Sequence, residues 1–113
     1  MMRFFVILFF SFALCFSQEE KYQLSTVAFY NVENLFDTVD DPNNGWDEAM
    51  TPEGQDKWTE KKYKTKINNL SKVIAAIGKE TTNTRPTVVG LCEVENRNVL
   101  IDLVQSENLK NLN

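Results

Sequence analysis

Histidine is absent from all 113 residues. Its absence excludes imidazole acid–base chemistry within this chain and removes the commonest transition-metal ligand. Cysteine is nearly absent. Cys15 falls in the N-terminal apolar run, which leaves Cys92 without a partner and excludes an internal disulfide in the remainder. There are only four glycines, and no glycine-rich phosphate loop. Basic charge is also short, with 12 Lys and Arg against 16 Asp and Glu. Such a chain lacks the electrostatic footprint of a general nucleic-acid binder. A nuclease is not excluded, because a bound divalent cation offsets local carboxylates.

No apolar run reaches the roughly 20 residues that a membrane span needs. The longest, Phe4 to Phe16, is interrupted only by Ser11, follows a short start containing Arg3, and leads into Ser17 and Gln18. This is the layout of a secretory signal peptide. Residues 1–17 are therefore expected to be removed after Ser17, and the product to be exported to a periplasmic or extracellular space. A lipid anchor on Cys15 is the rival reading, and Phe12 and Leu14 match it poorly. Residues 18–113 lose only the charge of Arg3, so they remain acidic. They are also poor in apolar residues, too few for a self-sufficient core of that size.

The remaining pattern predicts alternating strands and helices. Leu24 to Asn31 is rich in β-branched and aromatic residues and reads as a strand. Its continuously apolar middle, Val27 to Tyr30, suits a strand covered on both faces. Asn34 to Gly54 is a long polar connection, with turn signals at Asp40–Gly45 and Thr51–Gly54. Thr59 reads as a helix N-cap, and Tyr63, Ile67, Leu70, Ile74 and Ile77 form one apolar stripe that ends at Gly78. Lys79 to Arg85 reads as a polar link. Thr87 to Val94 is a second apolar strand, and Asn96 or Asn98 caps a second helix. The order implies a parallel, right-handed βαβ unit, the opening part of an α/β domain. Two strands alone leave unpaired edges.

In such a unit the carboxyl ends of both strands lie side by side, where α/β sheets bind ligands. Asn31, Glu33 and Asn34 follow the first strand, and Glu93 and Glu95 end the second. Oxygen-only donors suit hard cations such as Mg²⁺, Mn²⁺ or Ca²⁺. The plainer alternative makes the glutamates polar strand ends and the asparagines turn residues.

The segment Phe29-Tyr30-Asn31-Val32-Glu33-Asn34-Leu35-Phe36 resembles the first-strand motif of the endonuclease/exonuclease/phosphatase family. Gly90-Leu91-Cys92-Glu93-Val94-Glu95-Asn96 resembles its second-strand motif, usually G-L-Q-E-V, with Cys92 in place of the Gln. The resemblance extends over Thr26 to Val104 and is closest to exported members that carry N-V-E-N-L-F-D, here Asn31 to Asp37. It implies a two-sheet α/β sandwich like that of deoxyribonuclease I, of which residues 18–113 would be the truncated N-terminal part. It implies hydrolysis of phosphodiesters or phosphomonoesters with Mg²⁺ or Mn²⁺. Glu93 would bind the metal, Asn31 would orient the metal, its water or the phosphate, and Glu33 would lie near the metal.

The family's later Asp-x-Asn loop and Asp-His ending have no counterpart in these residues, so this chain alone is expected to be inactive. The family handles nucleic acids, inositol phosphates, sphingolipid head groups and nucleotides. A non-catalytic exported binding or scaffold module is the rival function. Three other features have plain readings. Lys57, Lys61, Lys62, Lys64, Lys66 and Lys72 form a solvated helix face, Trp46 and Trp58 pack against the fold, and Cys92 is a small buried hydrophobe.

Overall fold

The computed structural model describes residues 21–110, so the signal peptide read at residues 1–17 lies outside the described residues. Strand β1 (Val27–Leu35) leads through a polar loop, with a single 3₁₀ turn at Glu48–Met50, to helix α1 (Glu60–Ala76). A four-residue helix α2 (Lys79–Thr82), strand β2 (Val88–Val94) and helix α3 (Arg97–Gln105) complete the order. The two strands pair in parallel. This is the mixed α/β arrangement that the sequence predicts. Among the described residues no helix is long and apolar enough to cross a membrane.

Helix α1 forms where its sequence signals say it should. The Thr59 hydroxyl caps it by accepting from the Lys62 amide at 3.4 Å. Tyr63, Ile67, Leu70 and Ile74 are buried along one stripe. The chain leaves α1 at Gly78, whose φ of 73° is left-handed. A side chain there would also strike Thr26. Glu60 and Lys64 pair at 2.9 Å on the outer surface, a contact worth about 0.3–0.5 kcal/mol. Helix α3 starts at Asn96, whose side-chain oxygen accepts from the Asn98 and Val99 amides at 2.7 and 3.1 Å. The segment 79–85 is not simply a link, because a single helical turn forms after Gly78.

One core holds these parts together. Val32 and Leu35 of β1 meet Tyr63, Ile67, Leu70 and Ile74 of α1, Val99 and Leu103 of α3, and Leu109 beyond it. Both helices lie on this side of the sheet. The expectation of strands covered on both faces is therefore corrected: Val27, Phe29 and Val88 stand exposed on the opposite face. Cys92 opens onto solvent as well, and so is not a buried hydrophobe. The Phe29 ring lies across Gly90, where a Cβ would come within 2.6 Å of it.

β1 also runs four residues past its expected end at Asn31, because its phase is reset there. Ala28, Tyr30 and Val32 turn toward the helices, as strand alternation requires, and the next buried residue is Leu35. Glu33 and Asn34, at φ 54° and 59°, take up the odd step. The register records the same insertion: Asn31 pairs with Cys92 and Leu35 with Val94, so four steps on β1 match two on β2. Such irregularities re-aim side chains near functional sites.

Candidate metal-binding edge

Both strands turn left-handed at the same end of the sheet. On β2, alternation after Val89 and Leu91 would send the side chain of residue 93 toward the core. Glu93 instead adopts φ 63°, stays exposed, and lets Val94 take the inward place. A non-glycine residue held in this region costs of the order of 1–3 kcal/mol, and such residues cluster at functional sites. Here three of them, Glu33, Asn34 and Glu93, meet at one edge.

Hydrogen bonds fix the result. The Asn31 Nδ2 amide donates to Glu93 Oε1 at 2.6 Å. The Asn34 backbone N–H donates to Glu93 Oε2 at 3.2 Å. Asn31 Oδ1 accepts the Glu33 N–H at 2.6 Å, so the same side chain braces the turn and the carboxylate. Each Glu93 oxygen thus has one amide donor and remains on the exposed side. The plainer reading of Asn31 as a local turn residue accounts for its bond to Glu33 and not for its bond to Glu93.

Lys66, from α1, completes this edge. Its ammonium donates to the carbonyls of both Glu33 and Asn34, the latter at 3.1 Å. It stands 5.7 Å from the centre of the Trp58 ring, within cation–π range. The Trp58 Nε1–H donates to the Phe36 carbonyl at 3.1 Å, tying the ring to the end of β1. Burial lowers the pKa of Lys66, against the pull of the Glu33 and Glu93 carboxylates.

Of the sequence-predicted carboxylates, the structure brings Glu93 and Glu33 to one edge and directs Glu95 elsewhere. Glu95 Oε2 accepts the Asp37 N–H at 2.9 Å. The Asn96 Nδ2 amide donates to Asp37 Oδ2 at 3.1 Å. The Asp47 carboxylate is a further neighbour whose charge acts on Glu95. Asp47 is 2% exposed; its Oδ2 accepts the Asp41 N–H at 3.0 Å, and its Oδ1 has no donor. Burial raises the pKa of Glu95 against the Asp37 amide, and the neighbouring Asp37 and Asp47 charges add to the rise. Glu95 therefore locks the second motif onto the loop that follows β1.

Sequence reasoning missed Lys66, which lies among lysines that remain solvated. The available signal was its place beside Ile67, at the border of the apolar stripe. Trp58 packs against the core as expected, whereas Trp46 is corrected: it is 86% exposed, because the turn-rich loop that carries it gives it no surface to cover. Among the described residues no three Asp, Glu, Cys or His side chains gather into a closed metal-holding group.

No curated protein and no solved structure matches the chain. A sequence model of one family does match, across residues 26–113, a span that includes both strand motifs and the helix between them. On that match, and on the two motifs meeting at one strand edge, the chain belongs to the endonuclease/exonuclease/phosphatase family.

Proposed function

We propose that the Asn31–Glu93 edge is the metal-binding part of a phosphoesterase site, and that the intact protein hydrolyses phosphodiesters or phosphomonoesters with Mg²⁺ or Mn²⁺. The family is one of phosphoesterases and nucleases that generally depend on a divalent metal. The observation that carries the reading is Glu93 itself: left-handed, exposed, and oriented through both oxygens by Asn31 and Asn34.

The residues fit a hard cation. Mg²⁺ commonly takes one or two carboxylates with water and substrate phosphate, not a closed protein cage. Glu93 would hold it, with Glu33 as the second carboxylate and Asn31 fixing the Glu93 oxygens. A bound divalent ion polarises a phosphoryl oxygen and offsets charge that develops in the transition state. Asn31 and the Asn34 N–H keep the carboxylate oriented, and Lys66 tempers the negative charge of the edge.

The histidine that the family resemblance implies for proton transfer has no counterpart in these residues. The 113-residue chain alone is therefore expected to be inactive. The test uses bis(4-nitrophenyl) phosphate with Mg²⁺ or Mn²⁺ and the intact protein. Metal-dependent turnover that falls more than about a hundredfold in Glu93→Gln supports the reading. Unchanged activity or affinity in that variant, with metal-independent folding, favours a non-catalytic binding module instead. Turnover by this chain alone, above its own Glu93→Gln control, would overturn the expected inactivity.

Export belongs to the same proposal and is supported by the Arg3 start and the Phe4–Phe16 apolar run. N-terminal sequencing of the product from a secreting host tests it. A new N-terminus at Gln18 supports export, and an intact Met1 in the cytoplasmic fraction overturns it.

A further inference from the structure

We propose that Lys66 is a positioning residue for the metal-binding edge: its ammonium clamps the left-handed Glu33–Asn34 turn and thereby holds the donors that orient Glu93. This rests on the reading of that edge as a metal site.

The turn makes a demand that the strand cannot meet. Glu33 and Asn34 lie where the pairing of β1 with β2 is interrupted, and neither has a register partner on β2. Backbone carbonyls taken out of the ladder need other donors. Lys66 supplies both, using two of its three N–H groups on consecutive residues. No other side chain among the described residues donates to either carbonyl.

Its placement separates it from its neighbours. Lys57, Lys61, Lys62, Lys64 and Lys72 are exposed, whereas Lys66 is half-buried. Partial burial of an ammonium is unfavourable unless it is hydrogen-bonded. Tyr63 and Ile67 fix the face of α1 from which Lys66 projects, and both are buried in the core. Trp58 lies against its ammonium, and its Phe36 hydrogen bond returns to β1. The clamp is thus a closed circuit of α1, Lys66, the turn, Phe36 and Trp58.

Without the ammonium, two carbonyls lose their donor, and only the Asn31 and Glu93 side chains still brace the two consecutive left-handed residues. As the turn relaxes, the Asn34 N–H withdraws from Glu93 Oε2 and the Glu33 N–H from Asn31 Oδ1. Glu93 then loses its fixed direction.

The test compares wild type, Lys66→Met and Lys66→Arg in the full chain by Mn²⁺ titration, thermal unfolding and amide NMR. Supporting residues behind metal ligands typically contribute about 10–100-fold in affinity. Lys66→Met should raise the Mn²⁺ Kd by at least about tenfold and shift the Asn34 N–H and Asn31 side-chain amide resonances. The unfolding midpoint should hardly move. Lys66→Arg, which still donates, should recover most of the affinity. Unchanged affinity and unmoved resonances in Lys66→Met overturn the proposal. If that variant does not fold, wild type decides: scalar couplings from Lys66 Nζ to the Glu33 and Asn34 carbonyl carbons support the clamp, and a freely exchanging ammonium overturns it. If wild type shows no Mn²⁺ binding that Glu93→Gln abolishes, the metal reading has failed, and the two amide resonances alone decide the role of Lys66.

Discussion

Asn31 and Glu93 stand 62 positions apart in the chain and meet at 2.6 Å, the asparagine amide donating to the carboxylate. The same asparagine accepts the Glu33 N–H, so one side chain couples the shape of the β1 turn to the direction of the β2 carboxylate. That coupling is the observation on which the proposed site rests.

Asn31→Asp should expose the balance of charge at this edge. The substituted carboxylate would still accept from Glu33, but it would face Glu93 with no proton to donate. The loss of one charge-assisted hydrogen bond and the new repulsion should cost about 1–2 kcal/mol, moderated by solvent at this exposed position. Millimolar Mg²⁺ should return most of that loss by bridging the two carboxylates. Thermal unfolding of both proteins, with and without Mg²⁺, checks this; a deficit that ignores Mg²⁺ would argue against a metal at this edge.

Tyr63 holds α1 to α3 through more than apolar contact. Its hydroxyl donates to Asp102 Oδ2 at 2.7 Å. Burial raises the tyrosine pKa, and the Asp102 carboxylate, as acceptor and as charge, raises it further. Tyr63→Phe should destabilise the protein by about 1.5–2 kcal/mol near neutral pH, as expected for a hydrogen bond to a charged group. The sign with pH follows from linkage. Because the folded pKa is raised, the contribution is complete below the unfolded value of 10.0 and declines as pH rises beyond it. Wild type should therefore lose stability above that pH more steeply than Tyr63→Phe. Denaturant melts from pH 8 to pH 11 provide the comparison, and parallel curves would contradict the argument.

The Asp47 carboxylate lies near enough to Glu95 to raise its pKa, and one Asp47 oxygen is buried with no donor reaching it. Glu95→Gln supplies a donor without changing size. Its carbonyl can still accept from Asp37, and its amide can serve Asp47 Oδ1. A gain of about 1 kcal/mol is expected at neutral pH, the usual worth of satisfying a buried acceptor. Urea unfolding measures it, and a loss of stability would mean that the carboxyl pair is better satisfied than this geometry indicates.

Much of this fold is legible in the sequence because its helices obey local rules. The Thr59 cap, the stripe from Tyr63 to Ile74, the Gly78 stop and the Asn96 cap all lie where spacing and chemistry place them. Legibility ends where tertiary pairing overrides local preference. Glutamate has little taste for positive φ, so nothing at Glu33 or Glu93 announces the phase reset that re-aims the site. Lys66 resembles its neighbouring lysines until the strand turn is present to receive it. Cys92 and Phe29 read as buried because apolar strands usually are, yet the helices cover only one face of this sheet.

Gly78 shows how strongly one of the legible features constrains the fold. Its left-handed backbone ends α1, and its Cα faces the side chain of Thr26, just before β1 begins. Alanine there must accept positive φ, at about 1 kcal/mol, and must also displace Thr26. Thr26 cannot easily yield, because its carbonyl accepts the Thr87 N–H at 2.8 Å and so starts the pairing of the two strands. Gly78→Ala should thus destabilise by about 2 kcal/mol or more, beyond the backbone term alone. Thr26→Ala removes Oγ1 and Cγ2, the two nearer of the three obstructing atoms, and leaves Cβ at 2.9 Å, so the double variant should recover most of the steric part and retain the cost of positive φ. A double-mutant cycle in urea separates the two contributions; strict additivity would show that the Thr26 contact contributes nothing.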